Sequence, residues 1–163
     1  MYYYRDINDI ETKNSFVAKF ELTDNFIEEC YVKLKFPDYF GFNLDALQDC
    51  LLDFSWLEES TIIIIIDSVS LSSESNLRDY VSLFCEVEKM WMQYNEKYSL
   101  ESDEIYNQYR RHLHWLSENE TKRIAQPRNV KFYFNESEKE YIEGLIREML
   151  VINIRKQYSK VNN

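Results

Sequence analysis

Five consecutive isoleucines at residues 62–66 determine the fold class that we expect for this chain. β-branched side chains favour strands, and a strand without polar alternation suits a position where both of its faces are buried. Such strands are typical of parallel sheets, whose faces are covered by the connecting segments. The run is also far too short to span a membrane. We therefore predict a strand inside a parallel sheet.

Two further strands and several helices are predicted from hydrophobic periodicity. Residues 15–22 alternate between apolar and polar side chains, and residues 130–134 form a third strand candidate. Apolar residues at helical spacing predict helices over residues 26–34, 44–52, 76–91, 102–122 and 137–157. This order predicts an α/β fold with a small three-stranded parallel sheet covered by helices. No linker or repeat divides the chain, so we expect a single domain over residues 1–163.

The chain is acidic, and its charge is unevenly distributed. Its 29 Asp and Glu residues exceed its 19 Lys and Arg residues, which gives a formal net charge of −10. An anionic surface repels phosphate backbones and anionic lipids, so we expect no direct binding of nucleic acid or membrane. Ten acidic and two basic residues fall within 24–67, whereas nine basic and five acidic residues fall within 121–163. This asymmetry indicates either two solvated faces that attract each other or an acidic face directed at a cationic partner.

The sequence gives no sign of a cofactor, a metal site or a reactive thiol. Cys30, Cys50 and Cys85 are widely spaced, so we expect reduced and mostly buried thiols. His112 and His114 are two residues apart, a spacing that points them away from each other on a helix. The first residues do not form a secretory signal. We therefore expect a soluble cytoplasmic protein that needs neither cofactor nor metal.

The most informative segment holds one of the two glycines and one of the two prolines in the chain. Pro37 and Gly41 define a loop, in which we expect Gly41 to adopt a positive φ. Asn43 is positioned to cap a short helix that starts near Leu44. The segment therefore predicts a loop that leads directly into a capped helix.

Three carboxylates follow the outward side of this helix. Asp45 and Asp49 lie one turn apart, and Asp53 extends the row. Like charges at this spacing destabilise a helix by roughly 0.2 to 0.5 kcal/mol per pair. The row therefore favours a cationic partner. The same carboxylates could instead serve as the acid and base of a hydrolase, although no nucleophile motif accompanies them.

The segment resembles the signature of the barstar family, whose members inhibit the ribonuclease barnase inside the cell. The resemblance rests on Pro37, Tyr39, Gly41, Asn43, Leu44, Asp45, Ala46, Leu47, Asp49, Cys50 and Leu51. It implies a three-stranded parallel sheet with helices, built from residues 15–95 and 129–135. Residues 96–128 would then form a helical insertion, and residues 136–163 an added C-terminal helix.

The resemblance also implies a mechanism in which loop and helix plug the cationic active site of a basic ribonuclease. Asp49 corresponds to the carboxylate that mimics the substrate phosphate, and Asp45 corresponds to a second interfacial carboxylate. Tyr39 corresponds to the aromatic ring that lies over the catalytic histidine. Gly41 and Asn43 correspond to the turn that fits the cleft.

Three further positions extend this pattern or depart from it. Glu86 corresponds to an additional interfacial acid of the family, on the helix after the isoleucine strand. Gln48 stands where the family often has a tryptophan, and Phe42 stands where it often has an acid. Changes at an interface rim alter specificity more readily than they alter central charge mimicry. We therefore predict an immunity protein that inhibits a ribonuclease toxin and is not an enzyme. The alternative is an interaction module of the same fold whose target is not a nuclease.

Overall fold

The computed structural model describes the backbone of residues 1–161 and the side chains of residues 1–152. Its strands are β1 (Tyr2–Tyr4), β2 (Ser15–Leu22), β3 (Thr61–Val69) and β4 (Asn129–Asn135). Its helices are α1 (Phe26–Lys33), α2 (Leu44–Leu51), α3 (Glu74–His112), α4 (Glu118–Ala125) and α5 (Lys139–Val161). Short 3-10 turns at Ile7–Asp9 and Glu136–Glu138 precede β2 and α5. Residues 162 and 163 of the predicted C-terminal helix lie outside the described residues.

The four strands form one parallel sheet in the order β1-β4-β3-β2. This confirms the predicted parallel α/β fold, and the isoleucine strand β3 lies inside the sheet. The prediction of three strands is wrong, because β1 pairs with β4 as a fourth strand at the edge. β1 consists of three consecutive tyrosines, which are too few to display the alternation that marks a strand.

The isoleucines of β3 are buried on both faces of the sheet, as their sequence predicts. Each is at most 1% exposed. The even-numbered isoleucines pack in the main core with residues of α1, α2, α3 and α5. Ile63 and Ile65 pack on the opposite side against Tyr4 and Ile10. Helices therefore cover one face of the sheet, and the segment at β1 and the first 3-10 turn covers the centre of the other.

The helices between β3 and β4 are divided differently from the prediction. Residues 102–112 continue α3 beyond a single non-helical residue, Glu101, instead of starting a new helix. The next helix starts only after residues 113–117. Ser117 caps it with a reciprocal pair of bonds, because its Oγ accepts from the Glu120 backbone N–H at 3.3 Å and the Glu120 carboxylate accepts from the Ser117 N–H at 2.8 Å. This capping box sets the boundary that periodicity alone missed.

A buried arginine joins this region to the sheet. Arg128 is 1% exposed, and its guanidinium donates to the backbone carbonyls of Glu59 at 2.7 Å and Arg123 at 3.4 Å. Its own carbonyl accepts from the Asn95 side chain at 2.9 Å. Burial lowers the pKa of Arg128, and the nearby charge of Asp53 opposes that shift. Through its side chain and its backbone carbonyl, Arg128 thus connects α3, α4 and the segment that precedes β3.

We expect Arg128→Ala to lower the free energy of unfolding by about 3 kcal/mol, because it leaves a cavity and removes charge-assisted hydrogen bonds to buried carbonyls. Urea denaturation followed by circular dichroism measures the change. Arg111→Ala, which removes an exposed arginine of α3, serves as the control and should change stability by less than about 0.5 kcal/mol. Equal unfolding midpoints for the two variants would contradict the structural role of Arg128.

Candidate partner-binding surface

The loop between α1 and α2 is held by aromatic side chains. Phe36 and Phe40 are buried, and their ring centroids lie 4.8 Å apart. Backbone bonds close the turns beside them, from Phe36 N–H to the Tyr31 carbonyl at 3.0 Å and from Phe40 N–H to the Pro37 carbonyl at 3.0 Å. The Trp56 indole packs edge-on against Phe36 and donates to the Leu34 carbonyl at 3.0 Å. The loop is therefore anchored in the core at both of its turns.

The left-handed residues of this loop are Lys35 and Phe42 and not Gly41, which corrects the sequence expectation. Phe42 has a φ of 49°, whereas no glycine of the described chain has a positive φ. Such a conformation costs a non-glycine residue roughly 1–2 kcal/mol. Its half-exposed ring offsets this cost by packing at 5.0 Å against both Tyr31 and Phe40. Gly41 is favoured for a different reason, since a Cβ there would make tight contacts of 3.3 Å with both the Ala46 Cβ and the Asn43 side-chain nitrogen.

Asn43 fixes the start of α2, as its position in the sequence predicts. Its Oδ1 accepts from the Ala46 backbone N–H at 2.9 Å, and its Nδ2 donates to the Gly41 carbonyl at 3.1 Å. The cap therefore connects the loop to the helix. Leu47 and Leu51 bury one side of α2 in the main core, with Cys50 beside them. The opposite side of the helix must face solvent.

The exposed side of α2 carries two unpaired carboxylates. Asp45 and Asp49 are exposed, and within residues 1–152 no basic nitrogen lies within 4.0 Å of either. Asp53 is not on the helix, because α2 ends at Leu51 and the Asp53 carboxylate accepts from the Ser55 N–H at 3.1 Å in the following turn. Mutual repulsion of Asp45 and Asp49 gives the isolated protein no stability. The arrangement is instead suited to positive charge supplied from outside.

Tyr39 extends this surface on the loop side. It is 77% exposed, the most exposed aromatic side chain of the loop. Partial burial of its hydroxyl raises the pKa of Tyr39, and the charge of Asp53 raises it further. Gln48 is half-buried on α2, between the positions of Asp45 and Asp49. Thus one continuous segment, residues 39–49, holds every predicted site residue except Glu86.

Glu86 lies on α3, outside the segment of residues 39–49. It is exposed on α3, and no hydrogen bond or ion pair within the described side chains links it to residues 39–49. α3 meets the end of α2 at Trp91, whose indole N–H donates to the Leu51 carbonyl at 2.9 Å. That contact lies more than one helical turn beyond Glu86. Glu86 and residues 39–49 therefore lie on separate elements, and no direct contact joins them in the described side chains.

The sequence reasoning missed the aromatic residues that support this surface. Tyr31 on α1 packs against Phe42, and its hydroxyl donates to the Asp38 carboxylate at 3.3 Å. From the sequence, the helical spacing of Tyr31 predicted only that it belongs to the apolar face of α1. The clue was the unusual density of aromatic residues at positions 36, 39, 40 and 42, close behind Tyr31. These residues give the loop its shape.

Comparison with known proteins identifies the family. The family model described as Barstar (barnase inhibitor) matches residues 8–103, which is more than half of the chain. The chain belongs to the barstar family. Barstar-family members inhibit barnase-type ribonucleases and are not enzymes. The match covers β2 to β3 and most of α3, and it ends before α4, β4 and α5. No curated protein and no solved structure gives a match.

The described part of the chain lacks a metal site and a membrane-spanning helix. No group of three or more His, Cys, Asp or Glu side chains there is arranged to hold a metal ion. His112 is the last residue of α3 and His114 lies in the turn after it, so the two do not share a helix as the sequence suggested. Among the described helices, none combines the length and the apolar character needed to cross a membrane.

Asn43→Ala removes the cap of α2, and we expect it to lower the free energy of unfolding by about 1 kcal/mol. Asn43→Asp is the matched control, because its carboxylate can still accept from the Ala46 N–H, and it should retain most of that stability. Thermal unfolding of the three proteins measures the difference. If both variants are equally destabilised, the cap is not what fixes the start of the helix.

We expect the Cys50 thiol to react slowly at neutral pH. Burial raises its pKa to about 11, and the charges of Asp53 and Asp49 add to the shift. Because the pKa is raised on folding, the neutral thiol contributes fully to the free energy of unfolding below the usual thiol pKa of 9.0. This contribution is lost as the pH rises through about 11. Alkylation by iodoacetamide with peptide mapping should show Cys50 protected at pH 8 and labelled increasingly towards pH 11. Labelling of Cys50 at pH 8 as fast as a free thiol would contradict this.

Proposed function

We propose that this chain is an immunity protein that inhibits a ribonuclease toxin by placing residues 37–49 in its active site. The observation that carries the proposal is the pair of exposed, unpaired carboxylates on α2, Asp45 and Asp49. Both lie on the exposed side of α2, whose other side is buried in the core. This helix directly follows the anchored loop. A ribonuclease active site supplies several cations that bind phosphate. Carboxylates placed among such cations form charge-assisted hydrogen bonds, which are about twice as strong as neutral ones.

Each site residue has a separate role in this proposal. Asp49 takes the place of the substrate phosphate, and Asp45 pairs with a second cation at the interface. Tyr39 lies over a catalytic side chain of the enzyme. Gly41 and Asn43 shape the turn that enters the cleft, and their mutual contact holds that shape before binding. Gln48 lies at the rim, and Glu86 on α3 contributes an acid outside the central plug.

The loop is built to bind without rearrangement. Its two buried phenylalanines, its cap and its tight contact at Gly41 already hold one conformation. Ordering a flexible loop upon binding would reduce affinity, so a preformed loop retains more of the interaction energy. The excess of acidic residues in residues 24–67 also accelerates the encounter with a basic enzyme. The inhibitor acts in the cytoplasm of the cell that makes the toxin.

A target other than a nuclease is the alternative. Phe42 and Gln48 differ from the residues that are frequent in the family, and both lie at the surface that would meet the partner. The proposed insertion, residues 96–128, also exposes Leu100 at 84% and Trp115 at 68%. If Leu100 and Trp115 bound the partner, the loop and α2 would retain the fold of the family without its inhibitory role.

Asp49→Ala should abolish tight binding while leaving the fold intact. Loss of a central charge contact costs about 2 kcal/mol or more, roughly 30-fold in Kd. Wild-type and variant proteins are immobilised and exposed to lysate and secretions of the producing organism. The bound proteins are then denatured, renatured and assayed for RNA cleavage. We expect ribonuclease activity in the wild-type eluate and not in the Asp49→Ala eluate.

The matched control is Asp9→Ala, which removes the same charge. Asp9 is exposed in the 3-10 turn before Ile10, and Ile10 packs on the face of the sheet opposite α2. It should retain the ribonuclease like the wild type. A partner retained equally by all three proteins would place the binding surface elsewhere and favour the alternative target.

A further inference from the structure

A cavity of about 310 Å³ lies where α2 ends. Leu52 and Asp53, which follow α2, line it together with Trp91 and Tyr94 of α3. Tyr109, near the end of α3, and Ile124 of α4 also line it. The last two residues lie beyond the part of the chain that matches the family, 8–103. Residues 96–128 therefore complete a concavity directly beside the acidic helix.

The walls of this cavity are fixed by hydrogen bonds to the backbone. The Trp91 indole N–H donates to the Leu51 carbonyl at 2.9 Å, which holds α3 against the end of α2. The Tyr94 hydroxyl donates to the Ala125 carbonyl at 2.8 Å, which holds α4 against α3. The Trp91 and Tyr94 rings meet edge-to-face at 5.7 Å. The cavity is thus preformed, with three aromatic side chains around it.

One carboxylate lines this otherwise aromatic and apolar cavity. Asp53 accepts a single hydrogen bond, from Ser55, and no basic nitrogen within residues 1–152 approaches it within 4.0 Å. Arg128, a cation whose charge Asp53 influences, directs its guanidinium to backbone carbonyls instead. Asp53 follows the end of α2 at Leu51 and comes four residues after Asp49, which places it beside the proposed inhibitory surface. The cavity and that surface are contiguous.

We propose that this cavity receives an arginine side chain of the ribonuclease, as a second anchoring point next to the α2 plug. An arginine guanidinium is planar, stacks on aromatic rings and binds carboxylates in a fixed geometry. The cavity offers both kinds of contact at once, from Tyr94, Tyr109 and Asp53. The nature of the partner rests on the proposed function, whereas the affinity of the cavity for a guanidinium does not.

The affinity for a guanidinium is tested by NMR titration of the full chain with N-acetylarginine methylamide. The reporter is the Trp91 indole N–H signal, assigned from Trp91→Phe. We expect a saturable shift of this signal and no such shift with the citrulline analogue, which has nearly the same shape but no charge. Asp53→Asn and Tyr109→Ala should each weaken the binding about tenfold. The control Tyr106→Ala changes a tyrosine of the same helix that lines a different concavity, and it should bind like the wild type.

Absence of a saturable shift, or an equal shift with citrulline, would overturn the proposal. The plug is tested separately by Asp49→Ala, which should lose the ribonuclease but bind the arginine derivative unchanged. Once the ribonuclease is in hand, Asp53→Asn and Tyr109→Ala should each raise its Kd about tenfold, whereas Tyr106→Ala should not. An unchanged Kd in the first two variants would overturn the use of the cavity in the complex, even if Asp49 proved essential.

Discussion

Burial of the isoleucine strand on both of its faces is the constraint on which the rest of the structure depends. β3 is inside the sheet, and its side chains leave no face that can remain in water. The even-numbered isoleucines require a layer of helices, and Leu47 and Leu51 of α2 belong to that layer. Once this side of α2 is committed to the core, the geometry of a helix directs Asp45 and Asp49 outwards. The acidic surface is therefore a consequence of how the core is built.

Stability and binding place opposite demands on residues 37–53. The two α2 carboxylates repel each other, and Phe42 occupies a backbone conformation that a phenylalanine disfavours. Neither feature stabilises the isolated chain. The buried rings of Phe36 and Phe40 and the Asn43 cap supply the compensation. The segment is thereby held in one shape by contacts on its inner side, while its outer side is left free to match a partner. This is the balance expected of a surface selected for binding.

The sequence was sufficient for features that depend on local pattern. The isoleucine run, the Asn43 cap and the start of α2 follow from residue type and spacing, and the loop signature identified the family. The failures involve contacts that form only in the folded chain. β1 becomes a strand only through pairing with β4, more than a hundred positions away. Gly41 is favoured because a Cβ there would lie close to the Ala46 Cβ, which no φ preference reveals. The cavity beside α2 joins Leu52 to Ile124, so it exists only after the chain has folded.

The connections around the additional helices share one feature that affects how this protein can diverge. The side chains of Trp91, Tyr94, Asn95 and Arg128 all donate to main-chain carbonyls. A carbonyl is present whatever residue occupies the acceptor position. Mutational tolerance is therefore asymmetric, because an acceptor residue can be exchanged while the bond persists, whereas loss of a donor leaves a buried carbonyl unsatisfied. Much of this region can therefore change in sequence while four donor side chains preserve its framework.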